Sequence, residues 1–251
     1  MKNRIAFALA LCSLLYSFAG ESQSHQLPPE GLSQTEIKEM KEEIAKYLAK
    51  KAGQAPPLQP PKADVAEWSR AQFAAAEKAK NTKLLYQLIH SHLPLAERLM
   101  QSKDEKVRRE GLLIVMRATY CAIDTLQDKW LAPGLAETYL MPNRELAHES
   151  RGRTPNVAEV LVDVAYVYQQ LGDTEKYLEV YLQLLSTGGG GPNAGEVARV
   201  RIAIALDKLG RYQEAIRCLE EIDPKGSLAG SRADLLKDVR KKLDAQRAKI
   251  K

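Results

Sequence analysis

The chain has 251 residues, 45% hydrophobic and 27% charged, with three cysteines and a formal charge of +5. That length allows one large domain or two small ones. The charge is small, and no aromatic residue follows Tyr212 to stack on a base, so nucleic-acid binding is not expected; beyond the first twenty residues no segment is long and apolar enough to cross a membrane.

Lys2 and Arg4 precede an uncharged apolar run from Ile5 to Phe18, and Ser17 and Ala19 then supply the small-x-small pattern of a signal-peptidase site. A span needs about 20 apolar residues, so residues 1–19 read as a cleaved signal peptide and the protein as exported, periplasmic or secreted. A lipidated Cys12 is the competing reading; the bulky Leu11 before it and the apolar run beyond it argue against that. Removal of Lys2 and Arg4 lowers the charge from +5 to +3. From Lys225 to Lys251 there are nine basic residues against Asp234, Asp238 and Asp244, which leaves the rest of the mature chain at about −3. Cys121 and Cys218 lie on apolar helical stripes far apart in sequence and read as buried free thiols.

Residues 20–62 read as an N-terminal amphipathic helix followed by a Pro-rich linker. Ser33 and Glu36 form a capping box, with Leu32 and Ile37 as its hydrophobic staple. Ile37, Met40, Ile44, Tyr47 and Leu48 then follow helical spacing until Gly53. The four prolines of "QAPPLQPPKAD" favour extended backbone and make a semi-rigid tether. The apolar stripe of this helix either docks on the body of the protein or pairs with another chain; both remain open at this point.

Residues 63–150 read as helical hairpins starting at Asp64, with breaks at Asn81, Pro94, Lys103, Pro133 and Pro142. The run "GLLIVMRATY" fits a buried strand on periodicity alone, but its charged lead-in and amphipathic continuation favour a helix of about 20 residues. The segment "AERLMQSKDEKVRREGLLIVMRA", with Asp104 ahead of Val107 and Arg108, resembles a HEAT repeat, which implies stacked hairpins here.

Residues 151–251 contain an internal repeat. "VAEVLVDVAYVYQQLGDTEKYLEVYLQLL" aligns with "AGEVARVRIAIALDKLGRYQEAIRCLEEI": Ala165 falls on Ala203, Tyr168 on Leu206, Gly172 on Gly210, Tyr177 on Ala215 and Tyr181 on Leu219, an offset of 38 residues. The tetratricopeptide repeat has a period of about 34, and the four glycines of "LSTGGGGPNAGE" account for the excess as an enlarged turn, with Pro192 barring a helix interior and the next helix starting near Asn193. This half resembles a pair of tetratricopeptide repeats over about residues 156–224. The resemblance implies helical hairpins in which Ala165 and Ala203 let helices approach, with Gly172 and Gly210 in left-handed turns. Leu161 and Arg199 depart from the aromatic usual early in the first helix, Tyr177 from the small residue of the second, and Pro224 arrives early. Leu236, Val239, Leu243 and Ile250 behind Ser231 form the stripe of a C-terminal capping helix, which an open repeat requires.

The expected fold is therefore all-α: stacked hairpins in a tetratricopeptide-like solenoid with a capping helix. Its inner surface, by that resemblance, would carry Val162, Tyr166 and Gln169 from one repeat and Val200, Ile204 and Asp207 from the next, with Tyr166 the strongest candidate contact. Plain packing of Val162, Val200 and Ile204 is the competing reading. Because Val162, Tyr166, Val200 and Ile204 replace the polar residues of a carboxylate clamp, none is expected. Lys237, Arg240, Lys241, Lys242 and Arg247 make the last helix basic, either as the solvated face of a cap or as a surface for anionic lipid or polyanion.

Catalytic and metal motifs are not found. His90 and His92 point to different sides of a helix; His148 has no second His four residues on; the glycine run lacks the Lys-Ser or Lys-Thr of a phosphate loop; and no GxSxG or SxxK motif occurs. The sequence thus points to an exported, non-catalytic scaffold that binds a protein or peptide, with no cofactor and no nucleic acid. An anionic-surface binder is the alternative, and an enzyme with a site between the helical halves is a third.

Overall fold

A computed structural model describes residues 32–53, 59–147, 157–187 and 194–249. The leader with Cys12, residues 54–58 of the proline tether, His148, the glycine run with Pro192 and Asn193, and Ile250 lie outside the described residues.

Among the described residues the fold is all-α, with ten helices and no strand. The first, α1 (Gln34–Ala52), starts with the expected capping box: Ser33 Oγ accepts from the Glu36 amide and Glu36 accepts from the Ser33 amide at 2.8 Å. It ends at Gly53, at φ 70°. α2 (Val65–Lys78) leads into α3 (Thr82–Met100), which Asn81 caps by accepting from the Leu84 amide at 3.0 Å. α4 (Glu105–Tyr120) starts at Asp104, whose carboxylate accepts from the Lys106 and Val107 amides.

The break expected at Pro94 does not occur: α3 runs through it. Pro94 is exposed, while Leu93, Leu95 and Ala96 beside it are buried and hold the helix in place against the cost of the missing amide. α4 does not stop at Tyr120 but widens into a π-helical turn, Cys121–Thr125, closed by the Leu126 amide on the Cys121 carbonyl at 3.0 Å. α5 opens at Leu131–Leu135, with Pro133 in its first turn, where its missing amide costs nothing. It continues through a second π turn, Ala136–Leu140, then Met141–Asn143 and a 3-10 turn, Arg144–Ala147.

The remaining helices are α6 (Val157–Leu171), α7 (Thr174–Thr187), α8 (Ala194–Lys208), α9 (Tyr212–Glu220) and α10 (Ala229–Ala248). Each packs on its neighbour in sequence, α6 on α7, α7 on α8, α8 on α9 and α9 on α10. Gly172 and Gly210 both sit at φ 73° in the turns that close the two hairpins. The turn bonding repeats with the 38-residue offset: the Asp173 amide meets the Tyr168 carbonyl at 3.0 Å, and the Arg211 amide meets that of Leu206 at 2.9 Å. So does the buried stripe, in which Val160, Val164, Ala165, Val167, Tyr168 and Leu184 correspond to Ala198, Ile202, Ala203, Ala205, Leu206 and Ile222.

The N-terminal helix docks on the body. Ile37, Ile44, Leu48 and Ala52 of α1 are buried, against α3 chiefly, and Lys41 pairs with Glu97 at 2.5 Å. All described residues belong to one compact unit whose apolar core runs from Ile44 to Val239. Cys121 is buried and Cys218 half-buried, and both are free thiols; burial pushes each up to about 12.

Candidate functional site

The six residues expected on the inner surface do not share one site. Gln169 and Ile204 come together in one cleft. Tyr166 turns away from it: its hydroxyl donates to Asp124 Oδ1 at 2.8 Å, and its ring lies 5.8 Å from that of Tyr120. Val162, one turn earlier on α6, is 41% exposed. Val200 is half-buried against the core, and Asp207 pairs with Lys242 of α10 at 2.7 Å.

The cleft, about 70 Å³, lies between the α6–α7 turn and α8. Gln169, Gly172, Asp173 and Thr174 form one wall; Arg201, Ile204 and Lys208 form the other, with Tyr168 and Tyr177 at its base. Both tyrosines are committed elsewhere: the Tyr168 hydroxyl donates to Glu137, and the Tyr177 ring packs on Tyr181 at 4.8 Å. Asp173 caps α7, accepting from the Lys176 amide at 3.0 Å. Arg201 and Lys208 are exposed and make no ion pair among the described residues. Sequence reading missed these two cations, although they flank Ile204 at i−3 and i+4 and so share its face of the helix.

A second polar cluster joins the π turn after α4 to α6. The Tyr120 hydroxyl donates to Asp163, next to the Tyr166–Asp124 bond. Burial raises the Asp163 carboxyl to about 6, with Glu159 adding to the rise and the Tyr120 hydrogen bond opposing it. A carboxyl whose folded pKa exceeds its unfolded value, about 3.9, favours the folded state when protonated. Its charge therefore costs stability above pH 6, and the cost disappears as pH falls from about 6 to about 4. We predict that Asp163→Asn is more stable than wild type at pH 7.5 by on the order of 2 kcal/mol and that this gap closes by pH 4. Urea unfolding of both proteins at the two pH values checks it, and a gap independent of pH refutes the assignment.

On α10, Leu236 and Val239 are buried and Leu243 is half-buried, as a capping helix requires. Two of its five expected surface cations are engaged internally: Arg240 pairs with Glu220 at 2.9 Å, and Lys242 with Asp207 and with Asp238 at 2.8 Å. Lys237, Lys241 and Arg247 are exposed and carry no ion pair among the described residues.

His92 is fully buried, with Nδ1 2.8 Å from the Leu88 carbonyl and its ring 5.3 Å from both Trp68 and Phe73. Burial lowers its pKa, so a neutral ring donates from Nδ1 as part of the core. Among the described residues no group of three His, Cys, Asp or Glu side chains is placed to hold a metal ion, and no helix is long and apolar enough to cross a membrane. No family model, curated protein sequence or solved structure matches the chain.

Proposed function

We propose that the protein is an exported, non-catalytic scaffold of tetratricopeptide-like hairpins that binds another protein or peptide along the face formed by α6 and α8. The observation that carries this reading is the 38-residue recurrence of both the glycine turn and the buried stripe. Two like hairpins set side by side leave their first helices facing the same way, and between them opens a cleft in which Ile204 stands between Arg201 and Lys208. Export follows from the leader read in residues 1–19. The basic face of α10 is less suited to the role, because two of its cations already pair with carboxylates of the same chain.

Affinity capture from cell-envelope extract, comparing wild type with Ile204→Arg and separately with Gln169→Arg, tests the reading. Gln169 is exposed, so its replacement leaves the core untouched. A partner held by wild type is expected to drop at least about fivefold with each variant, at unchanged helical circular dichroism. Equal recovery of every captured protein by all three forms would rule out this face.

A further inference from the structure

We propose that the α6–α8 cleft is a site for an extended acidic peptide carrying two carboxylates three residues apart. This deepens the binding function proposed above and rests on it. The inference starts from the two cations. Arg201 and Lys208 lie seven residues apart on α8, hence on one face and about 10 Å apart along the axis. Many other basic side chains of the hairpins are neutralised: Arg199 by Glu221 at 3.0 Å, Arg211 by Glu214 at 2.6 Å, Lys176 by Glu179 at 3.1 Å and Lys242 by Asp207. Arg201 and Lys208, by contrast, have no acidic partner among the described residues, and both line the cleft.

Between them stands Ile204, half-buried and facing the same cleft. The wall thus reads cation, apolar, cation. A polyproline-II chain has three residues per turn and advances about 3.1 Å per residue, so side chains three residues apart share one face about 9 Å apart, close to the spacing of the two cations. An acidic side chain at each end would meet Arg201 and Lys208, and the peptide backbone between them would pass over Ile204. The opposite wall offers the Gln169 amide, which can donate to and accept from peptide backbone. The Asp173 carboxylate is the one negative charge in the lining, and it is directed to the first turn of α7, where the helix N-terminus offsets it. A free inorganic anion would meet one cation at a time; only a ligand of peptide length meets both.

The test uses the full chain and a fluorescein-labelled capped peptide, Gly-Glu-Ala-Leu-Glu-Gly, followed by anisotropy at about 20 mM salt. Comparison peptides place the two Glu side by side or replace both with Lys. The expected result is binding of the first peptide, at least about tenfold weaker binding of each comparison peptide, and a like loss for Arg201→Glu and for Lys208→Glu, with Arg201→Lys keeping most of the affinity. Raising salt to about 200 mM should weaken binding markedly. Binding that ignores the Glu spacing, or that survives either charge reversal, overturns the proposal, as does absence of binding by wild type. The last result, together with partner loss in the Ile204→Arg capture, would leave the broader binding face standing and remove only its acidic specificity.

Discussion

Asp128→Ala is expected to destabilise the protein by about 3 kcal/mol, the largest effect of any single polar substitution proposed here. The carboxylate is 8% exposed and accepts four hydrogen bonds. Its Oδ2 takes the hydroxyls of Tyr47 at 2.6 Å and Tyr86 at 2.8 Å, and its Oδ1 takes the amides of Trp130 at 3.2 Å and Leu131 at 3.0 Å. One side chain therefore ties α1, α3 and the start of α5 together. Burial alone would raise its pKa, yet the bonds from Tyr47, Leu131, Tyr86 and Trp130 outweigh burial and hold the carboxyl below the usual value. Because the folded pKa is depressed, this stabilisation is complete above the unfolded pKa, about 3.9, and is lost as pH falls below it. Charged acceptors contribute about 1.5–3 kcal/mol per bond, reduced here because Tyr47 is near enough to solvent to find water. Asp128→Asn, which keeps one acceptor oxygen, should cost about half as much. Urea unfolding at pH 7 and pH 3 decides: the wild-type advantage over Asp128→Ala should shrink at the lower pH, and a loss under 1 kcal/mol at pH 7 would show that α1 is held by its apolar face alone.

The same residue marks the limit of what sequence could say. Ser33 with Glu36, Asn81, Gly53, and the paired Gly172 and Gly210 were legible because each acts on backbone within a few residues of itself. The hairpin repeat was legible because Ala165 and Ala203 recur in a pattern that burial dictates. The docking of α1 was not, because it depends on Asp128, 81 residues from Tyr47, and on a polar network that leaves no periodic trace. Pro94 was misread because the cost of a proline inside a helix, about 3 kcal/mol, is outweighed here by the burial of Leu93, Leu95 and Ala96 beside it. The site was legible in part. Spacing placed Gln169 and Ile204 on helix faces that meet at the cleft, but it treated Tyr166 as free for a partner when Asp124, carried on a π turn, takes its hydroxyl. A π turn rotates the residues after it, and nothing in the local composition announces it.

Gly111→Ala gives the second large effect, and its sign runs against helix propensity. In the interior of α4 alanine should gain about 1 kcal/mol over glycine. A Cβ at Gly111, however, would lie 2.6 Å from the Ala96 carbonyl oxygen, 2.9 Å from the Met100 amide nitrogen and 2.7 Å from Met100 Cγ. Two of these are backbone atoms of α3, so relief requires the two helices to separate along their whole contact, which buries Leu85, Ile89, Leu112 and Val115. Overpacking of this kind costs about 1–3 kcal/mol or more, and here it acts on the central crossing of the core. The net expectation is a loss of about 2 kcal/mol, or about 4–8 °C in melting temperature for a chain of this size, and failure to fold for Gly111→Val. Gly134 in α5 is the control: its added Cβ would meet only Ile44 Cδ1 at 3.4 Å and Cγ1 at 3.6 Å, ordinary contact with a side chain that can yield. Gly134→Ala should be neutral or stabilising by up to about 1 kcal/mol. If calorimetry finds that both substitutions raise the melting temperature, α3 and α4 do not approach as closely as the Gly111 contacts require, and the packing that places α1, α4 and the π turn around one core would need a different geometry.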